Sequence, residues 1–367
     1  MIKNKILNSI IIFLVSCVCC PSFGQQPTQV IAYFSGNAAQ VKNINVEPLT
    51  EVIYSFCHLT GNKLTVDSDA GKLTIQNLVT LKKKKPSLKI ILSLGGWGGC
   101  EACSNVFSTP EGRHEFAASV LALSDEYHTD GIDLDWEYPA IEGYPGHTFA
   151  PHDRQNFTQL IHALREALGS SREISFAAGG FKKFLVESVD WPAVMPLVDR
   201  VNLMTYDLVN GYATVTGHHT SLYSSDKQPE STDFCVKYLE KLGVPKNKMV
   251  IGAAFYARVW EDVADINHGL FQKGKFKQGV DYKNFQSELS ELQGFQSYWD
   301  ENCQAPYRYN SAKKLFATFD DTKSIRLKTQ YTLKAGLQGL MFWELTLDAE
   351  KNGLLSEIAK TISDFKK

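Results

Sequence analysis

The sequence has almost no net charge, no fixed-period repeat and, outside its first residues, no long apolar run. The 38 Lys and Arg against 40 Asp and Glu leave a formal charge of -2, which gives no electrostatic reason to expect nucleic acid or an anionic membrane as a partner. Apolar residues at 44% and charged residues at 21% are typical of a globular protein and exclude the disordered, collagen-like and multi-span membrane classes. A chain of 367 residues is long enough for one large barrel or two ordinary domains.

Residues 1–24 are typical of an export signal. A basic start precedes the apolar stretch Ile10–Val18, which is too short to remain as a membrane-spanning helix, and the small-residue exit Ser22–Gly24 follows. This pattern predicts a secreted or periplasmic protein. An alternative stays open, because Leu14–Cys17 resembles a bacterial lipoprotein box, in which Cys17 would be lipidated and anchor the protein to the cell surface. Either route brings the mature chain into an oxidising compartment.

The cysteines that follow the leader are odd in number, so they cannot all pair within one chain. They are Cys57, Cys100, Cys103, Cys235 and Cys303. Cys100 and Cys103 form a C-x-x-C, which in a cytosolic protein would suggest redox chemistry or half of a zinc site. No second C-x-x-C or H-x-x-H accompanies it, so we predict a local disulfide that braces one loop. Cys57 lies in an apolar run and is expected in the core, while the pairing of Cys57, Cys235 and Cys303 stays open.

Short apolar or β-branched runs alternate along the chain with segments of helical periodicity. The candidate strands are 30–34, 52–57, 89–94, 131–136, 173–178, 200–206, 249–256 and 337–343. Helix signals separate them, such as Thr109-Pro110-Glu111 at the start of one segment and Gly169 at the end of another. Eight strands that alternate with helices predict parallel βαβ units, which close most naturally into a (β/α)8 TIM barrel, an α/β fold of about 250 residues.

The chain is longer than such a barrel requires, and the surplus falls between the seventh and eighth candidate strands. Residues 261–317 are rich in Gly, Lys, Gln and aromatics and contain no single long amphipathic helix. We predict a small α+β insertion there, on the rim where the active sites of such barrels lie. The barrel itself would comprise residues 25–260 and 318–367.

The segment Asp130–Pro139 carries the most chemical information. On a strand, side chains alternate between two faces, so Asp133, Asp135 and Glu137 share one face. In a barrel the opposite, apolar face packs against helices. The file of carboxyls formed by Asp133, Asp135 and Glu137 then lies inside the barrel. Same-face neighbours are about 6.5 to 7 Å apart, so the carboxyls interact and retain one or two protons near neutral pH. Glu137, the uppermost, is placed to give a proton to a leaving group.

A divalent metal site and an exposed acidic strand both fit the segment less well. A metal site would need His, Asn or Asp ligands in a calcium or magnesium pattern, and no residues complete one, so no metal or other cofactor is expected. An exposed strand would leave Ile132, Leu134 and Trp136 without a surface to pack against. Asp130 lies one residue off the shared face and is expected to mark the start of the strand.

The segment resembles the D-x-x-D-x-D-x-E signature of the family 18 glycoside hydrolases, the retaining chitinases. Further motifs similar to those of that family are Ser93–Trp97 (S-x-G-G), Met204–Asp207 (M-x-Y-D), Met341–Trp343 (M-x-W), and Ala32–Phe34 and Tyr54–Phe56 on the first two strands. The insertion falls where longer members of the family carry theirs, and the resemblance covers residues 28–365. Tyr256-Ala257-Arg258 departs from the commoner Tyr-Gly-Arg by one methyl group, which leaves the chemistry unchanged.

The resemblance implies substrate-assisted hydrolysis, an exception to the usual use of a carboxylate nucleophile. The 2-acetamido oxygen of the sugar would attack the anomeric carbon and form an oxazolinium ion. Glu137 would serve first as acid and then as base toward water. Asp135 would orient the acetamido N–H and stabilise the cation, and Asp133 would share a proton with Asp135. Tyr206 would donate a hydrogen bond to the acetamido carbonyl.

The resemblance also implies which residues bind the sugar. Trp343 would form the hydrophobic floor under the distorted sugar, and Trp97 would be a stacking platform further along the glycone side. Arg258 would either bind sugar hydroxyls or pair with a carboxylate. The implied substrate-binding residues are Tyr33, Phe56, Trp97, Tyr138, Met204, Asp207, Arg258, Met341 and Trp343.

These motifs lead to the expectation of a secreted, monomeric chitinase that acts endo on chitin or chito-oligosaccharides, with the insertion deepening the groove for a linear polymer. An endo-β-N-acetylglucosaminidase that acts on N-glycans or peptidoglycan-like glycans shares the acidic strand and stays an alternative. A non-catalytic chitin-binding lectin of the same fold is disfavoured, because such relatives typically lack the acid that Glu137 supplies.

Overall fold

A computed structural model describes residues 27–367 of the chain. The predicted leader and the lipidation alternative at Cys17 lie outside the described residues. The strands are β1 (Gln29–Phe34), β2 (Glu51–Thr60), β3 (Lys63–Thr65), β4 (Lys89–Gly95), β5 (Gly131–Asp135), β6 (Glu173–Gly179), β7 (Arg200–Met204), β8 (Met249–Ala254), β9 (Tyr256–Glu261), β10 (Lys275–Asp281), β11 (Gln296–Asp300), β12 (Ala305–Asn310), β13 (Leu315–Thr318) and β14 (Gly339–Trp343). The α-helices are α1 (Ala38–Val41), α2 (Asp69–Thr80), α3 (Cys103–Phe107), α4 (Pro110–Tyr127), α5 (Asp153–Leu168), α6 (Lys182–Glu187), α7 (Trp191–Val194), α8 (Thr232–Lys241), α9 (Phe285–Glu288), α10 (Thr322–Ala335) and α11 (Leu354–Phe365).

Eight of the strands close into a barrel. The order around it is β1-β14-β8-β7-β6-β5-β4-β2, and β2 pairs with β1 to complete the circle. Every neighbouring pair in the barrel is parallel, and helices connect successive strands. The predicted (β/α)8 fold is therefore confirmed. Because all the strands run in one direction, their C-terminal ends share one rim, where barrels of this kind build their active sites.

A second, antiparallel sheet lies between β8 and β14. Its strand order is β10-β9-β13-β12-β11, and it extends from Tyr256 to Thr318. The predicted seventh strand, 249–256, was too long, because β8 ends at Ala254 and Tyr256 already begins the second sheet. Apolar residues continue from Met249 through Ala257 without a break, so the pattern does not show where the chain leaves the barrel. The pairing of β9 with β10 and β13 shows that the chain has left the barrel at Tyr256.

The helices begin and end close to the residues that signal them. Thr109 caps α4 through its hydroxyl, which accepts a hydrogen bond from the Gly112 N–H at 3.0 Å. α5 ends at Gly169, whose φ of 62° lies in the left-handed region that glycine adopts at little cost. Ser231 caps α8 in the same way as Thr109 caps α4. Within the described part of the chain, no helix is both long and apolar enough to cross a membrane.

β4 shows how the barrel wall separates two layers of side chains. Ile90, Leu92 and Leu94 point outward and belong to the large core between the strands and the helices. Ile91 belongs to a smaller cluster inside the barrel, and Ser93 is fully buried on that same face. This alternation is the period of two that any strand imposes. The barrel interior therefore holds polar as well as apolar side chains.

Cys100 and Cys103 are joined by a disulfide, the pairing that the C-x-x-C spacing predicts. Cys57, Cys235 and Cys303 are free and buried. Burial raises the pKa of each of these three thiols, so they are poor nucleophiles in the folded protein.

We expect thiol labelling of the denatured protein to separate these two groups. Without reductant, a maleimide should label Cys57, Cys235 and Cys303 and spare the disulfide. Reduction before labelling should add Cys100 and Cys103, because only then are their sulfurs available. Peptide mapping by mass spectrometry identifies the labelled residues, and label on Cys100 or Cys103 before reduction would contradict the disulfide.

Candidate active site

A cleft of about 1090 Å³ opens at the C-terminal rim of the barrel. Most of the residues predicted from the sequence line it: Phe56, Trp97, Asp135, Glu137, Tyr138, Met204, Tyr206, Asp207, Arg258 and Trp343. Tyr33, Asp133 and Met341 are instead buried beneath the cleft. Barrel closure thus brings motifs from both ends of the chain to one site, which no local sequence pattern requires.

Two glycines, Gly95 at the end of β4 and Gly96 directly after it, let that strand approach the acidic strand closely. Ser93 lies opposite Asp133, and Gly95 lies opposite Asp135. A Cβ atom on Gly95 would be 2.2 Å from the Asp135 carbonyl oxygen, and the φ of Gly95 is 107°, which other residues rarely adopt. The S-x-G-G motif therefore fixes the distance between the two strands and places Trp97 on the rim, where it is 46% exposed.

β5 and the residues directly after it carry the predicted file of carboxyls. The apolar residues of the segment pack in the outer core, and they are Ile132, Leu134 and Trp136. Asp133 and Asp135 are buried inside the barrel, and Glu137 lies just beyond the end of the strand, on the cleft. Asp130 accepts a hydrogen bond from a backbone N–H of β4 at 2.7 Å and pairs with Lys82 at 2.6 Å, which anchors the start of the strand.

Asp133, at the bottom of the file, is surrounded by hydrogen-bond donors. Its Oδ2 accepts from the Tyr33 hydroxyl at 3.0 Å and the Ser93 hydroxyl at 2.9 Å, and its Oδ1 accepts from the Ser175 hydroxyl at 2.7 Å and the Asn202 amide at 3.1 Å. Burial raises the pKa of Asp133, while the hydrogen bonds from Ser175 and Ser93 oppose that rise. Donors on both oxygens stabilise the ionised carboxylate and limit the rise, although burial prevails and the pKa of Asp133 stays above its usual value.

Asp135, in the middle of the file, is only 4% exposed. Burial, together with the charges of Glu137 and Asp133, raises its pKa well above the usual range. Among the described residues, no group hydrogen-bonds to its Oδ1. An acceptor without a partner in a buried position is costly, and at a cleft it is available to an N–H group of a ligand.

Glu137, at the top of the file, is half-buried and faces the cleft. Burial raises the pKa of Glu137 to about 7. A hydrogen bond with Tyr138 opposes this rise, and the charge of Asp207 adds to it. A carboxylic acid with a pKa near neutrality can donate a proton in the transition state and take one back afterwards. The position and the pKa together suit a general acid.

Aromatic rings form one side of the site, and the innermost of them, Tyr33, contacts Asp133. Trp343 stacks on Phe56 with ring centroids 5.6 Å apart and an interplanar angle of 13°, and both rings line the cleft. The Tyr33 ring lies 5.9 Å from Trp343, and its hydroxyl reaches Asp133. An apolar surface next to carboxyls suits a sugar ring, whose flat face is apolar and whose edge is polar.

Asp207 and Arg258 form an ion pair on the wall of the cleft. The Nε and Nη2 groups of Arg258 each donate to one oxygen of Asp207, and the Nδ1 atom of His219 lies 3.3 Å from the same carboxylate. Burial alone would raise the pKa of Asp207, but Arg258 and His219 outweigh burial and hold it well below its usual range. Of the two roles expected of Arg258, the structure therefore shows the pairing with a carboxylate, and Asp207 stays ionised.

Tyr212, which the sequence motifs did not indicate, projects beside Trp97 on the rim. The two ring centroids are 6.2 Å apart, and Tyr144 contacts Trp97 from another direction at 5.6 Å. The loop of Tyr212 is held by the second sheet, since the Trp260 indole donates to the Ala213 carbonyl at 2.9 Å. An exposed aromatic in a Gly-containing turn shortly after the M-x-Y-D motif was the available signal. Further lining residues that the motifs did not indicate are Glu142, Lys183, Asn210, Glu230 and Phe276.

Among residues 27–367, one group has the spacing of metal ligands, and it lies away from the cleft. The group is His218, Asp300 and Cys303, whose candidate ligand atoms lie within 4.8 Å of one another. None of the three residues lines the cleft, and His218 Nε2 and Asp300 are joined by a hydrogen bond of 3.0 Å.

Comparisons with known proteins place the chain among sugar hydrolases. The family model for glycosyl hydrolases family 18 matches residues 29–348. Chitinase A1 of Niallia circulans is 32% identical over 76% of this chain, which spans 43% of that protein's length, and Chitinase B of Serratia marcescens is 27% identical over 92% of this chain and 80% of its own. A solved family 18 N-acetylglucosaminidase from Paenibacillus barengoltzii has a TM-score of 0.83 at 34% identity, covering 91% of this chain and 99% of that one.

Proposed function

Because the chain belongs to the glycosyl hydrolases of family 18, we propose that it is a chitinase, which hydrolyses β-1,4 bonds between N-acetylglucosamine units with retention of configuration. The single observation that carries the proposal is the file of carboxyls that ends at Glu137 on the cleft, beside the aromatic floor of Trp343. Relatives that bear the name chitinase support the choice of substrate.

Glu137 is the general acid of the proposed reaction. It combines access to the cleft with a pKa that burial raises to about 7, so it is largely protonated below that pH. The carboxyl donates its proton to the glycosidic oxygen as the bond breaks. The resulting carboxylate then removes a proton from the water that attacks the anomeric carbon.

The nucleophile of the proposed reaction is the acetamido oxygen of the substrate. A conventional retaining enzyme uses a second carboxylate about 5 Å from the acid, but Asp207 is engaged on both oxygens by Arg258. Asp135 lies below Glu137 on the same side of one strand, and its Oδ1 without a partner suits the acetamido N–H. Tyr206 lines the same cleft and supplies a hydroxyl to the acetamido carbonyl.

We expect the rate to fall as the pH rises through about 7. The folded-state pKa of Glu137 is raised to about 7, and the reaction needs the protonated acid, so kcat/KM should decrease above this value. The measurement is a pH profile of kcat/KM on a soluble N-acetylglucosamine oligomer. A profile that stays level to strongly alkaline pH would remove Glu137 from this role.

Product analysis on three substrates tests the proposed activity. A chitinase should release short oligosaccharides from chitin oligomers and leave N-glycans and peptidoglycan intact, as mass spectrometry of the products would show. Cleavage of the N-glycan alone would instead support an endo-β-N-acetylglucosaminidase. Binding of chitin without any product would support a lectin.

The likeness to the Paenibacillus barengoltzii enzyme favours a second candidate activity, the release of single N-acetylglucosamine units. That protein is named an N-acetylglucosaminidase, and this chain covers 99% of it at 34% identity. A short time course on a pentasaccharide separates the two activities. Monomer and tetramer as the first products would support the second candidate, whereas dimer and trimer would support a chitinase.

We further propose that the enzyme is exported, as the pattern of residues 1–24 predicts. Mass spectrometry of the mature N-terminus tests this in the native host. A chain that begins near Gln25 supports cleavage of a simple leader. A lipid-modified Cys17 supports the cell-surface anchor, and an uncleaved Met1 argues against both.

A further inference from the structure

At the N-terminal end of the barrel, Arg200 is buried among carboxylates. It begins β7 with no exposed surface and pairs with Glu51 of β2 and with Glu173 of β6, the latter at 2.5 Å. Lys89 of β4 pairs with the other oxygen of Glu173. Burial raises the pKa of Glu51, whereas Arg200 and Lys89 outweigh burial at Glu173 and lower its pKa to about 2. At least one carboxylate next to Arg200 is therefore ionised at any working pH.

A single hydroxyl links Arg200 to the file of carboxyls in the active site. The Nη2 group of Arg200 donates to the Ser175 hydroxyl at 3.3 Å, and that hydroxyl donates to Asp133 Oδ1 at 2.7 Å. The strand register sets this chain of contacts, because Asp133 lies opposite Ser175 and Ser175 lies opposite Arg200. The cation is thus one hydroxyl away from the lowest member of the file.

Groups from every strand of the barrel surround Asp133 and Arg200. The titratable and charged ones are Tyr33 of β1, Glu51 of β2, Lys89 of β4, Asp135 and Glu137 on and after β5, Glu173 of β6, and Tyr206 after β7. β8 and β14 contribute apolar side chains to the interior, Val250 and Met341. Among all these groups, Arg200 is the cation that lowers the proton affinity of Asp133.

We propose that Arg200 is a positioning residue for the hydrolytic reaction: acting through Ser175, it holds Asp133 as an anion, so that the proton shared within the file stays with Asp135 and Glu137, next to the substrate. The inference rests on the proposed function. Arg200 is not part of the cleft lining, and no covalent bond changes through it. Arg200, Ser175 and Asp133 are all fully buried, and a unit charge within about 4 to 6 Å of a buried carboxyl shifts its pKa by one unit or more.

The pH profile of kcat/KM tests the proposal, because a purely structural residue would not move it in a defined direction. Arg200→Gln removes the positive charge, so the pKa of Asp133 rises. The acid limb of the profile reports deprotonation of the file and should therefore move to higher pH, by about one pH unit for a charge at this distance. Arg200→Lys keeps the charge and should restore most of the wild-type midpoint.

A second variant, for which a shift in the opposite direction is expected, keeps the test decisive if Arg200→Gln does not fold. The double variant Glu51→Gln and Glu173→Gln removes negative charge beside Arg200, whichever of the two holds a proton, and keeps acceptors for the guanidinium. The acid limb should move to lower pH in this variant. Ser175→Ala removes one donor from Asp133 and should move the limb upward, in the same direction as Arg200→Gln.

The proposal is supported when the acid limb moves to higher pH in Arg200→Gln and Ser175→Ala and to lower pH in the double variant Glu51→Gln and Glu173→Gln. Acid limbs that stay at the wild-type midpoint in the double variant and in Ser175→Ala, or that move in one common direction, overturn it even when Arg200→Gln fails to fold. Failure of the proposed function is a different result, since it would appear as a wild-type enzyme without activity on any N-acetylglucosamine oligomer.

Discussion

Replacing Glu137 by glutamine should abolish hydrolysis and leave ligand affinity nearly unchanged. The amide has the shape of the carboxylic acid but no acidic proton to give to the leaving oxygen. Because a general acid contributes about 100- to 10,000-fold to the rate, kcat should fall by about 1000-fold or more. The measurements are initial rates on a soluble N-acetylglucosamine oligomer and the dissociation constant of the same oligomer by calorimetry.

Glu142→Gln is the matched control for this variant. Glu142 also lines the cleft but lies outside the file and is exposed, so its amide variant should keep nearly wild-type rates. If kcat of the Glu137→Gln enzyme is within about tenfold of the wild-type value, Glu137 is not the general acid, because loss of a general acid usually lowers the rate by about 100-fold or more. Equal losses in both variants would show that the cleft responds to charge in general.

Cleavage should require an N-acetyl group on the sugar at the glycone side of the broken bond. The acetamido oxygen is the proposed nucleophile, and a free amine cannot form an oxazolinium ion. Partially deacetylated chitin should therefore give fragments whose new reducing ends are always N-acetylglucosamine. The expected loss is complete within detection, because without the acetamido group this mechanism has no nucleophile. Sequencing of the fragments by mass spectrometry reads the reducing ends.

The stereochemistry of the first product tests the same mechanism independently. Attack by the acetamido oxygen and then by water inverts the anomeric centre twice, so the initial product should be the β-anomer. Proton NMR during the first minutes, before mutarotation, distinguishes the anomers. The α-anomer as first product, or glucosamine at the new reducing ends, would disprove the mechanism even if the protein proved to cleave chitin.

The sequence alone determined the class of fold, because period-two and period-3.6 patterns are local properties of the chain. β5 is an example, since the alternation of Asp133 and Asp135 with Ile132 and Leu134 already assigns each side chain to one face. In the structure, Ile132 and Leu134 lie in the outer core and Asp133 and Asp135 are buried on the other face of the strand, as the pattern predicts. The boundary between β8 and β9 was not determined, because apolar residues continue across it and only the partner strand shows where one sheet ends and the other begins.

Contacts between distant parts of the chain were decided only by the tertiary structure. No local pattern indicates that Arg258 neutralises Asp207, that Tyr212 lies beside Trp97, or that Arg200 reaches Asp133 through one hydroxyl. Each of these contacts depends on which strands become neighbours when the barrel closes and on the register between them. Residue types and spacing fix which chemical groups are available, whereas barrel closure sets the distances between them, and the pKa values of buried carboxyls follow from those distances.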